Sequence, residues 1–95
     1  MTAMDYRDLI KKFLENKITT KEFEDQFNNA FFSEPESIPE ELYQIIGVFF
    51  EDVEAYSPNC NLDEETISII SESTLRKSAE TTLHKLNEYL ETHTE

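Results

Sequence analysis

Apolar residues recur at steps of three and four along most of the chain, and this spacing is typical of amphipathic α-helices. The pattern divides into four stretches, which cover about residues 3–15, 19–33, 37–56 and 71–92 with their capping residues. Charged residues occupy the opposite face of each stretch. Each predicted helix therefore has one apolar stripe, which it must bury against the other helices.

The clearest helix start lies at Thr19. Glu22 follows three residues later, so the two residues can form a reciprocal capping box, and Ile18 can contact Phe23 as a hydrophobic staple. Pro35 disfavours helical geometry at the residue before it, which predicts the end of this second helix.

The third helix is predicted to begin at Ser37, with Glu40 three residues on and Pro39 in the first turn. Gly47 in its interior costs roughly 1 kcal/mol relative to alanine, and we expect its missing side chain to let a neighbouring helix approach closely. The wide apolar stripe of this helix predicts a central position in the fold. The stripe consists of Leu42, Ile45, Ile46, Phe49, Phe50, Val53 and Tyr56.

A loop is predicted over residues 56–61, which contain Pro58 between polar residues. Residues 62–70 fit two structures: the acidic residues 63–65 suit a first helical turn, whereas the isoleucine-rich residues 67–70 suit an extended segment. Four helices with short connections predict an all-α fold, a single-domain antiparallel four-helix bundle that spans residues 1–95.

Charge is distributed unevenly along this pattern. Residues 22–75 contain 14 Asp and Glu and no Lys or Arg, while the net charge of the chain is −13. A surface of one sign attracts cationic partners and repels nucleic acid and anionic membranes. The charge therefore predicts a basic protein partner, no direct contact with nucleic acid or membrane, and a monomer.

Seven Phe and four Tyr accompany this charge, which favours a folded domain over a disordered acidic tail. A single cysteine excludes an internal disulfide and is typical of a reducing compartment. The first residues lack the pattern of a signal peptide, and the longest apolar run is too short for a membrane span. We expect a cytoplasmic protein.

Catalytic and metal-binding patterns are weak. His84 and His93 lack further ligands at metal-binding spacing, and both are expected on the surface. Cys60 has acidic neighbours, which disfavour a reactive thiolate. Asn59, Asn61 and Asp63 resemble the opening of a calcium loop, but the glycine and glutamate that such a loop requires later are missing. The sequence predicts no enzyme and no cofactor.

Carboxylates concentrate instead around the end of the third helix. Six lie within residues 51–65, although the C-terminal end of a helix normally favours positive side chains. We expect Asp52 and Glu54 to project outward from the core stripe. Tyr56 fits two roles, an apolar anchor for a partner or a core residue. The predicted binding residues are Glu51, Asp52, Glu54, Tyr56, Asn59, Asp63 and Glu64.

Four segments carry a resemblance to a known family. They are residues 13–19 (FLENKIT) followed by Phe23, residues 39–42 (PEEL), residues 49–59 (FFEDVEAYSPN) and residues 75–86. In their order and spacing, the segments resemble the colicin D immunity protein family, the bacterial self-protective colicin-like immunity domains, over about residues 9–86.

The resemblance implies a small four-helix bundle that neutralises a cognate toxin in the producing cell. The toxin would be a cationic tRNA-cleaving nuclease domain of a colicin D-like or contact-dependent-inhibition system, with its active-site groove covered by an acidic surrogate for RNA. By position that role falls on Glu54 and on Asn59, where family members often have Asp. The alternative is an acidic nucleic-acid mimic, or an adaptor that binds another basic protein.

Overall fold

The chain folds into four α-helices, as the sequence pattern predicts. The structure, a computed structural model, describes residues 2–33, 38–66 and 68–92. The helices are α1 (Ala3–Leu14), α2 (Thr20–Ser33), α3 (Glu40–Ala55) and α4 (Glu72–Thr92), with one 3-10 turn at Leu62–Glu64 between α3 and α4. No strand occurs in these three ranges, so the predicted all-α fold is confirmed.

Neighbouring helices run antiparallel. Phe23 near the start of α2 contacts Phe49 late in α3, with ring centroids 5.9 Å apart, whereas Phe31 near the end of α2 stacks on Tyr43 early in α3 at 5.5 Å. The α4 helix lies against both α1 and α3. It begins beside the end of α1, where Arg76 donates a 2.9 Å hydrogen bond to Asn16. The end of α3 and the start of α4 therefore meet at one end of the bundle.

Aromatic rings fill much of the interior. Phe13 of α1 stacks on Phe23 of α2 at 4.4 Å, and Phe27 meets Phe49 of α3 edge to face at 5.3 Å. Such pairs add about 0.5–1.5 kcal/mol each beyond the burial of their area. The largest fully buried side chains are Tyr6, Phe13, Phe23, Phe27, Phe49, Ile10, Ile46, Leu75, Leu86 and Val53.

The start of α2 confirms the predicted capping box. The Thr19 backbone N–H donates to the Glu22 carboxylate at 2.9 Å, and the Glu22 N–H donates to the Thr19 hydroxyl at 3.0 Å. Thr2 and Asp5 form a second box at the start of α1, which the sequence analysis missed. These bonds satisfy N–H groups that have no partner inside the helix.

Arg76 of α4 fastens the end of α1. Asn16 has a positive φ of 60°, and the Lys17 N–H reaches back to the Lys12 carbonyl at 2.8 Å, as in a Schellman motif. The Arg76 guanidinium lies 4.5 Å from the centre of the Phe13 ring and donates to the Phe13 carbonyl and the Asn16 side chain. The conformation at residue 16 is thus held by a helix that comes 60 residues later in sequence.

Two predictions about α3 are wrong. The helix begins at Glu40 rather than near Ser37, because Pro39 has an extended conformation (ψ 144°) and serves as the N-cap. No side-chain hydrogen bond caps this end, and Ser37 lies outside the described residues. Gly47 brings no helix close, because a Cβ atom built there meets no atom of the three described ranges within 4 Å.

The ambiguous residues 62–70 contain a short turn followed by non-helical backbone. After the 3-10 turn, Ile70 forms an isolated bridge with Tyr56 and donates its N–H to the Ala55 carbonyl at 2.9 Å. Ile67 lies outside the described residues. The last helix starts after Ser71 and ends at Thr92, as predicted.

Candidate functional site

The predicted binding residues lie at the end of the bundle where α3 finishes and α4 begins. The end of the connection is attached to α3 by a backbone hydrogen bond from the Ile70 N–H to the Ala55 carbonyl at 2.9 Å. Within the connection, the Ser57 N–H donates to the Ile70 carbonyl at 3.0 Å. Ser71 is fixed by Glu65, whose carboxylate accepts from the Ser71 N–H at 2.7 Å and from its hydroxyl at 3.0 Å. The loop is therefore held at both ends by the fold.

Three carboxylates of the predicted set are free to meet a partner. Glu51, Glu54 and Asp63 are exposed, and none makes a hydrogen bond or ion pair with another described residue. The last turn of α3 contains no basic residue. The negative end of the helix dipole therefore adds to these charges instead of being offset by a cation.

Asp52 does not project outward as predicted. Its carboxylate accepts a short hydrogen bond from the Ser78 hydroxyl, and the side chain is half-buried between α3 and α4. The cause is the close approach of α4, which turns this flank of α3 into an interhelical contact. Asp52 joins the two helices and is removed from the set of free carboxylates.

Glu64 and Glu65 also stabilise the connection. Glu64 accepts from the Asn61 side chain at 2.7 Å and from its N–H at 3.2 Å, although it remains exposed. Hydrogen bonds from Thr74 and Ser71 lower the pKa of the Glu65 carboxyl. The lowered pKa keeps the Glu65 carboxylate ionised at neutral pH. Hydrogen bonds within the connection fix the positions of both side chains.

Tyr56 is half-buried against the core, and its hydroxyl lies 3.5 Å from Glu72 Oε1. Burial, followed by the charges of Glu72 and Glu24, raises the pKa of the Tyr56 hydroxyl, which therefore stays protonated. Glu72 also accepts from the Thr20 hydroxyl at 2.7 Å and from Arg76 at 3.2 Å. These contacts favour the packing role of Tyr56 over that of a free anchor.

The remaining candidates lie on the surface of the connection or far from it. Asn59 is exposed in the turn after Pro58. Desolvation and the charges of Glu65, Glu64 and Asp63 raise the pKa of the Cys60 thiol, which disfavours the reactive thiolate as expected. His84 is on the surface, 2.8 Å from Glu88, while His93 lies outside the described residues.

An open groove lies beside the acidic end of the bundle, and the sequence pattern does not predict it. It encloses about 700 Å³ between α2 and the outer face of α3. Tyr43 is 41% exposed and Val48 is 58% exposed there. Gly47 lies between these two residues in the sequence of α3 and also lines the groove. We call it the α2–α3 groove. Its lining consists of Phe31, Tyr43, Gln44, Gly47, Val48, Phe50, Glu51 and Glu54.

Within the described ranges, no group of three or more His, Cys, Asp or Glu side chains is placed to hold a metal ion. None of the helices there is long and apolar enough to cross a membrane. The geometry thus presents a small, acidic, all-α domain with uncommitted carboxylates at one end of a helical bundle, beside an open aromatic groove.

The family of the chain agrees with this surface. The family model described as bacterial self-protective colicin-like immunity matches residues 1–86, and the chain belongs to this family. It is accordingly an immunity protein that binds a toxin, and proteins of this family are inhibitors rather than enzymes. No curated protein and no solved structure gave a significant match.

Proposed function

We propose that this immunity protein neutralises a cognate cationic nuclease of the colicin D type, which cleaves tRNA, by covering its active-site groove with the acidic end of the bundle. The protein would act in the cytoplasm of the producing cell, as a monomer in a 1:1 complex. The observation that carries the proposal is the set of exposed, unengaged carboxylates Glu51, Glu54 and Asp63 beside a helix end without any basic residue.

The mechanism follows from charge complementarity. An enzyme that binds RNA needs clustered Lys and Arg for phosphate contacts. Carboxylates held at the end of a rigid bundle can pair with the same cations and so exclude the substrate. Because the bundle is folded before the encounter, little ordering of the inhibitor opposes binding.

Fixed carboxylates around the loop support the same role. Glu64 and Glu65 are held by hydrogen bonds to Asn61 and Ser71, so their charges lie at defined positions. Asn59 would contribute a neutral contact at a position where related proteins often have Asp. We propose that this difference tunes the specificity for one toxin.

Under this proposal we expect the reading frame adjacent to that of this protein to encode the cognate toxin domain, and the test uses that domain. Glu54→Lys should raise the dissociation constant about 30-fold, the equivalent of about 2 kcal/mol, and should weaken protection of cells that express the toxin. Stability should change by less than about 0.5 kcal/mol, because Glu54 has no partner among the described residues.

Glu91→Lys is the matched control. Glu91 is also exposed, and it lies in the last turn of α4, about 28 Å along that helix from Glu72. Both variants change the net charge equally. Equal loss of affinity in the two would show that total charge, rather than this site, drives binding. Failure of the wild-type protein to bind the toxin domain while it binds another basic protein would favour the adaptor alternative.

A further inference from the structure

Aromatic side chains line the α2–α3 groove, and Tyr43 among them is 41% exposed. Phe31 stacks on Tyr43 at 5.5 Å and on Phe50 at 4.5 Å, which builds a flat aromatic wall. The Phe32 ring, 64% exposed, meets Phe50 edge to face at 5.2 Å. Exposed apolar patches bordered by polar groups are typical of protein interaction sites.

We infer that this groove binds an apolar side chain flanked by Lys or Arg on the cognate toxin, an inference that rests on the proposed function. Glu51 and Glu54 belong both to the groove and to the acidic end of the bundle. One toxin surface could therefore place cations against the carboxylates and an apolar group against the aromatic wall. Such desolvated apolar anchors supply much of the affinity in protein interfaces, whereas charges at the rim mainly set the association rate.

The charge of the chain favours a toxin over a second copy of this chain as the partner that occupies the groove. Two copies would bring net charges of −13 together, with Glu51 and Glu54 of each at the contact. Like charges placed against each other across an interface cost several kcal/mol. A basic partner meets the same surface with attraction.

Gly47 leaves open space in the floor of the groove. In the part of the chain that the structure describes, nothing lies within 4 Å of a Cβ atom built at this position. The Cβ atom of a leucine at residue 47 would therefore meet no close neighbour. Because residue 47 lines the groove, the rest of the leucine side chain would occupy space that the toxin side chain needs. Helix propensity also favours leucine over glycine.

The experiment compares Gly47→Leu with Asn87→Leu, which adds the same apolar side chain to an exposed position of α4. The probe is again the toxin domain encoded next to this protein, and the measurement is calorimetric titration. We expect Gly47→Leu to keep or raise the urea midpoint and to weaken binding at least about tenfold. Asn87→Leu should bind like the wild-type protein. Unchanged binding by a folded Gly47→Leu variant would overturn the inference.

A second pair removes apolar surface instead of adding it. Val48→Ser in the groove should weaken binding several-fold, while Met4→Ser on α1, where the side chain is similarly exposed at 52%, should not. On addition of the toxin domain, the methyl NMR signals of Val48 should shift and those of Met4 should not. Equal effects at both positions would contradict a role for the groove.

The outcomes separate the two proposals. If the wild-type protein binds the toxin domain and Glu54→Lys weakens binding but the groove variants do not, only the groove inference fails. If the wild-type protein does not bind the domain, the proposed function fails and the inference fails with it. A dimer in sedimentation experiments that Gly47→Leu dissociates would assign the groove to a second copy and overturn the inference.

Discussion

Gly47 is the only glycine in the chain, and it lies within α3 where a helix normally disfavours glycine. Among the described residues, no neighbouring group occupies the space where its Cβ atom would lie. The conformational cost of this glycine is therefore not offset by a close helix contact. A binding surface that needs open space gives a physical reason for the residue.

Gly47→Ala should raise the free energy of unfolding by about 1 kcal/mol, since alanine restricts the unfolded chain and favours the helix. Urea denaturation followed by circular dichroism measures this change. A lower midpoint than that of the wild-type protein would mean that residue 47 meets a neighbour after all.

Glu72 is the residue at which pH and stability should be coupled. The hydrogen bond from Thr20, then those from Arg76 and Tyr56, lower the pKa of its carboxyl below the ordinary value of 4.5. A lowered pKa means that the folded state resists protonation. The stabilisation is therefore present above about pH 4.5 and is lost as the pH falls through the lowered pKa.

Glu72→Gln should lower stability by roughly 0.5–1 kcal/mol at about pH 7, a modest loss because the carboxylate is partly exposed and screened. The difference from the wild-type protein should shrink in acid, because the stabilisation is lost as the pH falls through the lowered pKa of Glu72. Urea titrations of both proteins at neutral and at acid pH test this. A stability difference that does not shrink in acid would show that the charge of Glu72 is not its cause.

At the scale of elements, the contact between the end of α1 and the start of α4 depends on the geometry of the Arg76 guanidinium. Arg76 donates separately to the Phe13 carbonyl, the Asn16 side chain and the Glu72 carboxylate. Lysine keeps the charge but has no planar fork of donors. Three helix ends, those of α1, α2 and α4, are linked through Arg76 and its partner Glu72.

Arg76→Lys should therefore cost roughly 1–2 kcal/mol of stability, since at least one hydrogen bond at the end of α1 is lost. The reverse exchange at the exposed neighbouring position, Lys77→Arg, should change the urea midpoint little. Equal urea midpoints for Arg76→Lys and the wild-type protein would show that the hydrogen bonds of Arg76 do not stabilise this contact.

The helices could be predicted because their signals are local. The capping box of Thr19 and Glu22 and the start of α4 after Ser71 need only residues within one helical turn. Residues 62–70 could not be decided in this way, because their conformation depends on the bridge between Ile70 and Tyr56. Local pattern carries no information about such a distant contact.

The dependence on contacts between residues distant in sequence also explains which site residues could be predicted. Glu54 was correctly expected on the surface, since it flanks the core stripe, but Asp52 is engaged by Ser78, 26 residues away. The sequence does not predict the groove, because Tyr43 and Val48 have the pattern of ordinary apolar residues beside the wide apolar stripe of α3. Only the packing of α2 against α3 shows that these two side chains remain uncovered.

At the scale of the whole molecule, the surface charge should govern how fast the toxin is captured. The net charge of −13 and the absence of Lys and Arg from residues 22–75 give a field of one sign over much of the protein. Opposed fields can raise association rates to about 10⁸–10⁹ M⁻¹s⁻¹ at low salt. Rapid capture would suit the proposed function, in which the inhibitor must reach a nuclease before its substrate does.

The most direct test of the central claim is the association rate constant with the cognate toxin domain. It is measured by stopped flow over a range of salt concentrations. The rate for the wild-type protein should fall steeply as salt increases; Glu54→Lys should lower it and flatten the salt dependence more than Glu91→Lys does. A rate insensitive to salt, or equal effects of the two charge reversals, would contradict capture by the carboxylates at the end of α3.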